Sequence, residues 1–206
     1  MLTLYFATNT CALASHIALE HAGAQYEAIR IDFKKEQQKS PEFLKVNPKA
    51  RVPALVTDKG VLTETPAILA FIAQSYPPAK LAPINDPFAF AEVQAFNSYL
   101  CSTVHVAHSH RMRGYRWADD PAAWEAMKKK VPQSVGECFQ LIEREMLKGP
   151  WVMGKELGIC DFYLFTLAQW LEGDGVDLSK IPKVLEHRAR VGALPATQRA
   201  IAMETP

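Results

Sequence analysis

The chain has 206 residues, of which 49% are hydrophobic and 22% charged. Its 23 Lys+Arg against 22 Asp+Glu leave a net charge of only +1, which excludes the basic surplus that nucleic-acid binding by counterion release requires and the charge bias of a disordered tail. The longest strongly apolar run, Phe162 to Leu171, falls well short of the roughly 20 residues of a membrane span, and the first six residues lack the regions of a secretory signal, so the expectation is a cytoplasmic globular protein with no membrane or nucleic-acid partner.

The first 76 residues alternate strand and helix patterns. Leu2 to Phe6 reads as a strand. Cys11 to Ala22 reads as a helix, with Leu13, Ala14, Ile17 and Ala18 at helical spacing and Gly23 as its stop. Tyr26 to Ile31 alternates as a second strand, and Pro41 to Val46 is a short helical turn. Val52 to Val56 is a third strand, and Asp58-Lys59-Gly60 turns into a fourth at Val61-Leu62. Thr65-Pro66 then opens a helix to about Tyr76. The order is βαβαββα, and a βαβ unit makes its two strands parallel.

Prolines 77, 78, 83 and 87 mark residues 78–86 as a linker. Beyond it the pattern is helical: Phe88 to about Arg113, Pro121 to Leu147, Ile159 to Leu171, Pro182 to Val191 and Pro195 to Met203. The third of these is apolar almost all round and should be buried. The expected architecture is a small α/β domain at 1–77 followed by an all-α domain at 87–206.

The four cysteines, Cys11, Cys101, Cys138 and Cys160, form no Cys-x-x-Cys pair, which excludes a zinc ribbon and a dithiol redox motif. Cys11 follows the first strand by a four-residue turn and stands at a helix N-terminus, where free amides and the helix dipole favour an anion. A thiol so placed should be more acidic than a free one. Thr65 reads as an N-cap with Pro66 in the first turn. Its hydroxyl and the free amides suit a carboxylate, and Glu64 beside it suits an ammonium, so together they match an α-amino-acid head group. If the Val52–Pro53 bond is cis, Val52 would offer its backbone to an extended peptide as an added strand.

These pieces resemble, as a set, the cytosolic glutathione transferases, and most closely the bacterial beta class. The resemblance is carried by Leu4-Tyr5-Phe6, the Cys11 to Leu19 stretch with His16, Asn47-Pro48, Val52-Pro53-x-Leu55 and Leu62-Thr63-Glu64-Thr65-x-Ala67-Ile68. Val104-His105 and the run from Asp161 to Trp170 continue it, so that it covers nearly the whole chain. It implies a thioredoxin-like first domain that binds glutathione, as co-substrate with no other cofactor, and a helical second domain that binds a small electrophile. By that resemblance Cys11, assisted by Thr10 and His105, sits at the glutathione sulfur. Val52 and Pro53 hold the cysteinyl unit, Glu64 and Thr65 the γ-glutamyl head, and Lys35 or Lys34 the glycyl carboxylate. Ser98 falls where the family often has Asn, with Asn97 one place before it. The family also implies a homodimer. The sequence departs from its pattern at Ser15, at Val106 and at Gly158, which stands where a Ser or Thr usually caps the core helix; glycine is nearly as good a cap.

The expected chemistry is attack of glutathione thiolate on an electrophilic apolar compound. Mixed-disulfide exchange through Cys11 is a second route. A glutathione-dependent isomerase, lyase or dehalogenase, or a non-catalytic binding module, is the alternative. Lowering a thiol by two pH units from about 8.5 takes about 2.7 kcal/mol, close to what one charge-assisted hydrogen bond gives. Tyr5 reads as structural. His108, Met112, Tyr115 and Trp117, in a stretch mixing basic and aromatic residues, read as the second-substrate pocket rather than an RNA patch. His105 and His108 share a helix face but His110 does not, so no metal site is expected. Lys128 to Lys130 is a solvated face.

Overall fold

In a computed structural model that describes residues 1–205, the first lobe holds four strands: β1 (Leu2–Phe6), β2 (Tyr26–Arg30), β3 (Ala54–Thr57) and β4 (Gly60–Thr63). They form one sheet in the order β2-β1-β3-β4. β1 runs parallel to β2, with Leu4 opposite Ala28, and antiparallel to β3, with Leu4 opposite Leu55. The expected βαβαββα order is present, with α1 (Ala12–Ala22), α2 (Pro41–Val46) and α3 (Thr65–Ser75) between and after the strands. β3 starts two residues later than expected, because Pro53 has no N–H to give the ladder; the Val52–Pro53 bond is cis.

α1 is the hub of the molecule. Its residues from Ala12 to Leu19 are all buried, because the sheet and α3 cover one side and helices of the second lobe the other. It ends where Gly23 takes φ 65° and its N–H returns to Glu20, a left-handed stop that costs glycine nothing.

The second lobe contains α4 (Pro87–Tyr99), α5 (His105–Ser109), α6 (Pro121–Leu141), α7 (Ile159–Ala168), α8 (Pro182–Gly192) and α9 (Pro195–Glu204). Five of the helices, α2, α4, α6, α8 and α9, begin on proline, where a missing N–H costs no hydrogen bond. Asp86 and Asp120 cap α4 and α6 by accepting first-turn amides. α4 and α5 are joined by a wide π-type turn at Leu100–Val104, so the first long helix is continuous to Ser109 but ends there rather than near Arg113. A similar turn at Ile142–Met146 closes α6.

α7 is buried along its whole length. Gly158 caps it, and the Gly158 N–H donates to Asp161 at 2.7 Å. Asp161 also accepts from the Val152 N–H at 2.7 Å and faces the His187 ring at 2.8 Å. A Cβ on Gly158 would lie 2.8 Å from the Leu81 carbonyl oxygen. That oxygen accepts the Ile159 N–H at 2.9 Å, so the linker strap crosses directly over the cap.

Several side-chain ties join the lobes, among them the ion pair of Arg199 on α9 with Glu20 on α1 at 2.7 Å. The Trp170 indole N–H donates to Asn9 at 3.0 Å, the Thr8 hydroxyl donates to the Glu204 carbonyl at 2.8 Å, and the buried His16 Nδ1 meets the Glu204 carboxylate at 3.2 Å. Among the described residues no helix is long and apolar enough to cross a membrane.

Candidate active site

A cavity of about 760 Å³ lies between the lobes. The first lobe lines it with Thr10, Cys11, Val52, Pro53, Glu64 and Thr65, the second with His105, His108, Met112, Tyr115 and Trp117. Residues chosen from distant parts of the sequence thus share one space. Asn9, Ala50 and Glu64 also line it, and all three take positive φ, at 59°, 54° and 72°. Such conformations cost about 1–3 kcal/mol each outside glycine and cluster at ligand sites.

Cys11 occupies the N-cap position of α1 and its Sγ donates to the Val52 carbonyl at 3.7 Å. Burial pushes its thiol up to about 11; the Thr65 hydroxyl and the Arg113 charge pull it down without offsetting that. The acidic thiol expected from the helix N-terminus is therefore not what the fold produces. The rise from 9.0 to about 11 amounts to about 2.7 kcal/mol, whereas a helix terminus supplies roughly 0.3–1. Cys11 stays protonated at neutral pH and is a hydrogen-bond donor. Thr10 has its hydroxyl donated to the Ala7 carbonyl at 2.7 Å and accepts the Ala12 N–H at 3.3 Å, so it shapes the turn that carries Cys11.

Thr65 is the first residue of α3 rather than its cap; Glu64 takes the cap position, without a side-chain cap bond. The Glu64 carboxylate pairs instead with Lys49. Both partners are about half exposed, 44% and 53%, so the pair is worth little and is readily exchanged for another cation.

His105 is held neutral, pushed down to about 4 chiefly by burial, with His108 and the charges of Arg113, Arg51 and Arg116 adding to the effect. Its ring packs on Trp170 at 5.2 Å. His108 stacks on the same indole at 4.2 Å and its Nδ1 faces the buried Asp174 carboxylate, which also accepts from Arg111 at 3.2 Å. His110 lies edge-on to Trp117 at 4.5 Å. Met112, Tyr115 and Trp117 are 76%, 57% and 45% exposed and form the mouth.

Lys35 and Ser98 do not line the cavity. Lys35 is exposed on a short 3-10 turn that Asp32 caps, with Lys34 beside it. Ser98 is exposed on α4, and Asn97 is buried but also outside the cavity. Tyr5 packs on Phe43 at 5.6 Å, away from it. Sequence reasoning named the stretch that carries Arg113 and Arg116 without singling out those side chains, and it missed Arg51; all three line the cavity. The Arg-x-Arg-x-x-Arg spacing at 111–116 was the available signal. Gln38, Phe33, Tyr163 and Trp170 line it as well.

A thiol at the first helix of a thioredoxin-like lobe, set against a helical lobe across a peptide-sized cleft, defines the class of glutathione-dependent enzymes. Residues 1–74 match the family described as glutathione S-transferase, N-terminal domain. A glutathione transferase homolog from Sulfitobacter, solved with bound glutathione, superposes with a TM-score of 0.94 at 40% identity, covering 98% of each chain. The beta-class glutathione S-transferase of Sphingomonas chungbukensis superposes at 0.86 with 30% identity, again covering 98% of each. Glutathione S-transferase GstA of Escherichia coli O157:H7 is 28% identical over 204 residues, 98% of both chains. The chain belongs to the glutathione transferase family, and it is an enzyme of that activity.

Proposed function

We propose that glutathione lies along the first lobe with its sulfur against Cys11, and that its thiolate attacks the electrophilic carbon of a small compound entering past Tyr115 and Trp117. The glutathione S–H proton leaves to solvent, a carbon–sulfur bond forms, and the leaving group departs with the bonding electrons. The observation that carries this reading is the convergence of the Cys11 thiol, the Val52 backbone, Glu64 and Thr65 on one cavity wall. Cys11 acts as donor to the thiolate rather than as nucleophile, because burial keeps it protonated. One hydrogen bond to a charged acceptor contributes about 1.5–3 kcal/mol, enough to lower the bound thiol by one to two pH units. A neutral His105 adds a second donor to the thiolate.

Glu64 exchanges Lys49 for the γ-glutamyl ammonium, and the first amides of α3 with the Thr65 hydroxyl receive its carboxylate. Arg51, adjacent to Val52, replaces Lys35 as the partner of the glycyl carboxylate. The domain boundaries follow as 1–77 and 87–206. The enzyme is cytoplasmic, serves detoxification and works as a homodimer with no cofactor beyond glutathione; Phe88, 77% exposed at the start of α4, suits a face covered by a second copy.

Calorimetric titration with glutathione, followed by conjugation assays with an aryl halide, tests the site. Wild type should bind glutathione and turn over. Thr65→Val and Glu64→Gln should raise KM for glutathione tenfold or more with smaller changes in kcat. Unchanged KM in both variants overturns the assignment. Light scattering at micromolar concentration should give twice the chain mass.

A further inference from the structure

The cavity carries more positive charge than glutathione can use. Four arginines line it, Arg51, Arg111, Arg113 and Arg116, against one carboxylate, Glu64. Arg111 is neutralised by Asp174, and Glu64 is paired with Lys49. Among the described residues Arg51, Arg113 and Arg116 have no carboxylate partner. Arg116 and Arg51 lie close enough to Arg113 to disfavour its charge, and Arg113 is the most buried of the three and close enough to be felt at Cys11. Unpaired guanidinium groups crowded around one space cost stability unless an anion joins them.

Glutathione brings limited compensation. Its γ-glutamyl carboxylate faces the α3 amides, and its glycyl carboxylate takes one cation. Arg51 sits beside Val52 on the first lobe and suits that group. Arg113 and Arg116 are on the connection between α5 and α6, at the electrophile side, flanked by Tyr115 and Trp117.

We infer that the second substrate is an anionic electrophile, an aryl or alkyl compound bearing a carboxylate that Arg113 and Arg116 hold while its apolar body lies against Tyr115 and Trp117. Guanidinium is the side chain suited to planar, two-point capture of a carboxylate. This rests on the glutathione reading above and narrows it: the mouth accepts an apolar body, and the arginines beside it select the charge.

The test uses thioether conjugates, which carry no thiolate and so separate recognition of the electrophile from stabilisation of the sulfur. Binding of glutathione, S-benzylglutathione and S-(4-carboxybenzyl)glutathione is measured by calorimetry on wild type, Arg113→Gln, Arg113→Lys and the exposed-site variant Arg116→Gln. The carboxylated conjugate should bind wild type at least tenfold more tightly than the benzyl one. Arg113→Gln should bring the two within about twofold by weakening only the carboxylated ligand, Arg113→Lys should keep part of the preference, and Arg116→Gln should reduce it. Equal binding of the two conjugates to wild type overturns the inference while leaving the glutathione site standing. So does an equal loss for both conjugates in Arg113→Gln, which assigns Arg113 to the glycyl carboxylate. If neither glutathione nor either conjugate binds, the glutathione reading falls and this inference with it.

Discussion

The Nδ1 of His108 lies 2.7 Å from one carboxylate oxygen of Asp174 and 2.9 Å from the other, with Asp174 almost wholly buried. Asp174 therefore fixes two cavity residues at once, His108 and Arg111. Removing it leaves Arg111 without its partner and frees the His108 ring from its stack on Trp170. Asp174→Ala should destabilise the fold by about 2–3 kcal/mol in urea denaturation. It should also raise KM for the electrophile several-fold while KM for glutathione moves less than twofold. Equal effects on both KM values would remove His108 from the electrophile side.

Cys11 as a donor predicts a shift, not an abolition. Cys11→Ala should move the alkaline rise of kcat/KM upward by about one to two pH units, so activity at pH 6.5 falls about 10- to 100-fold and largely recovers near pH 9. Because burial holds the thiol at about 11, iodoacetamide should label Cys11 slowly at pH 7.5. Rapid labelling, or activity absent at every pH in Cys11→Ala, would make the thiol the nucleophile instead.

His105 predicts an acid weakness. Its folded-state value is pushed below the ordinary 6.5 to about 4, so the fold favours the neutral ring. That contribution is complete above about pH 6.5 and is lost as pH falls toward about 4, by on the order of 3 kcal/mol at most. Melting temperature measured from pH 7 to pH 4 should fall less steeply in His105→Asn than in wild type. Parallel curves would show that other groups dominate.

Gly158 predicts that a better cap is a worse residue here. Serine caps a helix at least as well as glycine in general, but its Cβ would meet the Leu81 carbonyl at 2.8 Å. Gly158→Ser should lose about 1–3 kcal/mol in denaturant unfolding. Asp161→Ala, which strips three partners from one buried carboxylate, should lose about 3–5 kcal/mol.

Local pattern carried much of the architecture. Proline at first-turn positions, Gly23 after α1 and alternation in the strands predicted the elements and their order, because these signals act within a few residues. Cys11, Glu64, Thr65 and His105 were legible as site candidates for the same reason, each standing at the end or on the face of a strongly patterned element. The acidity of Cys11 was not, because it depends on how far the assembled fold takes the thiol out of water, which local pattern does not encode. Lys35 and Ser98 sit next to elements that do reach the cavity, but a 3-10 turn and the rotation of α4 aim them elsewhere. Arg51 and Arg113 lie outside helices and strands, and Arg116 ends a single 3-10 turn at Gly114–Arg116, where no periodicity tells which way a side chain faces. Ser15, one of the departures from the family pattern, places a buried hydroxyl in α1 without a partner among the described residues; nothing in the structure explains it.

The grip of Glu204 on His16, with Trp170 holding Asn9, sets how the molecule comes apart. α1 has apolar surface committed to both lobes, so neither can let go without exposing it to water. Heating should give a single calorimetric transition whose van't Hoff and measured enthalpies agree. Glu204→Ala should lower that transition rather than split it, and an isolated first lobe should be an aggregating chain, not a working half.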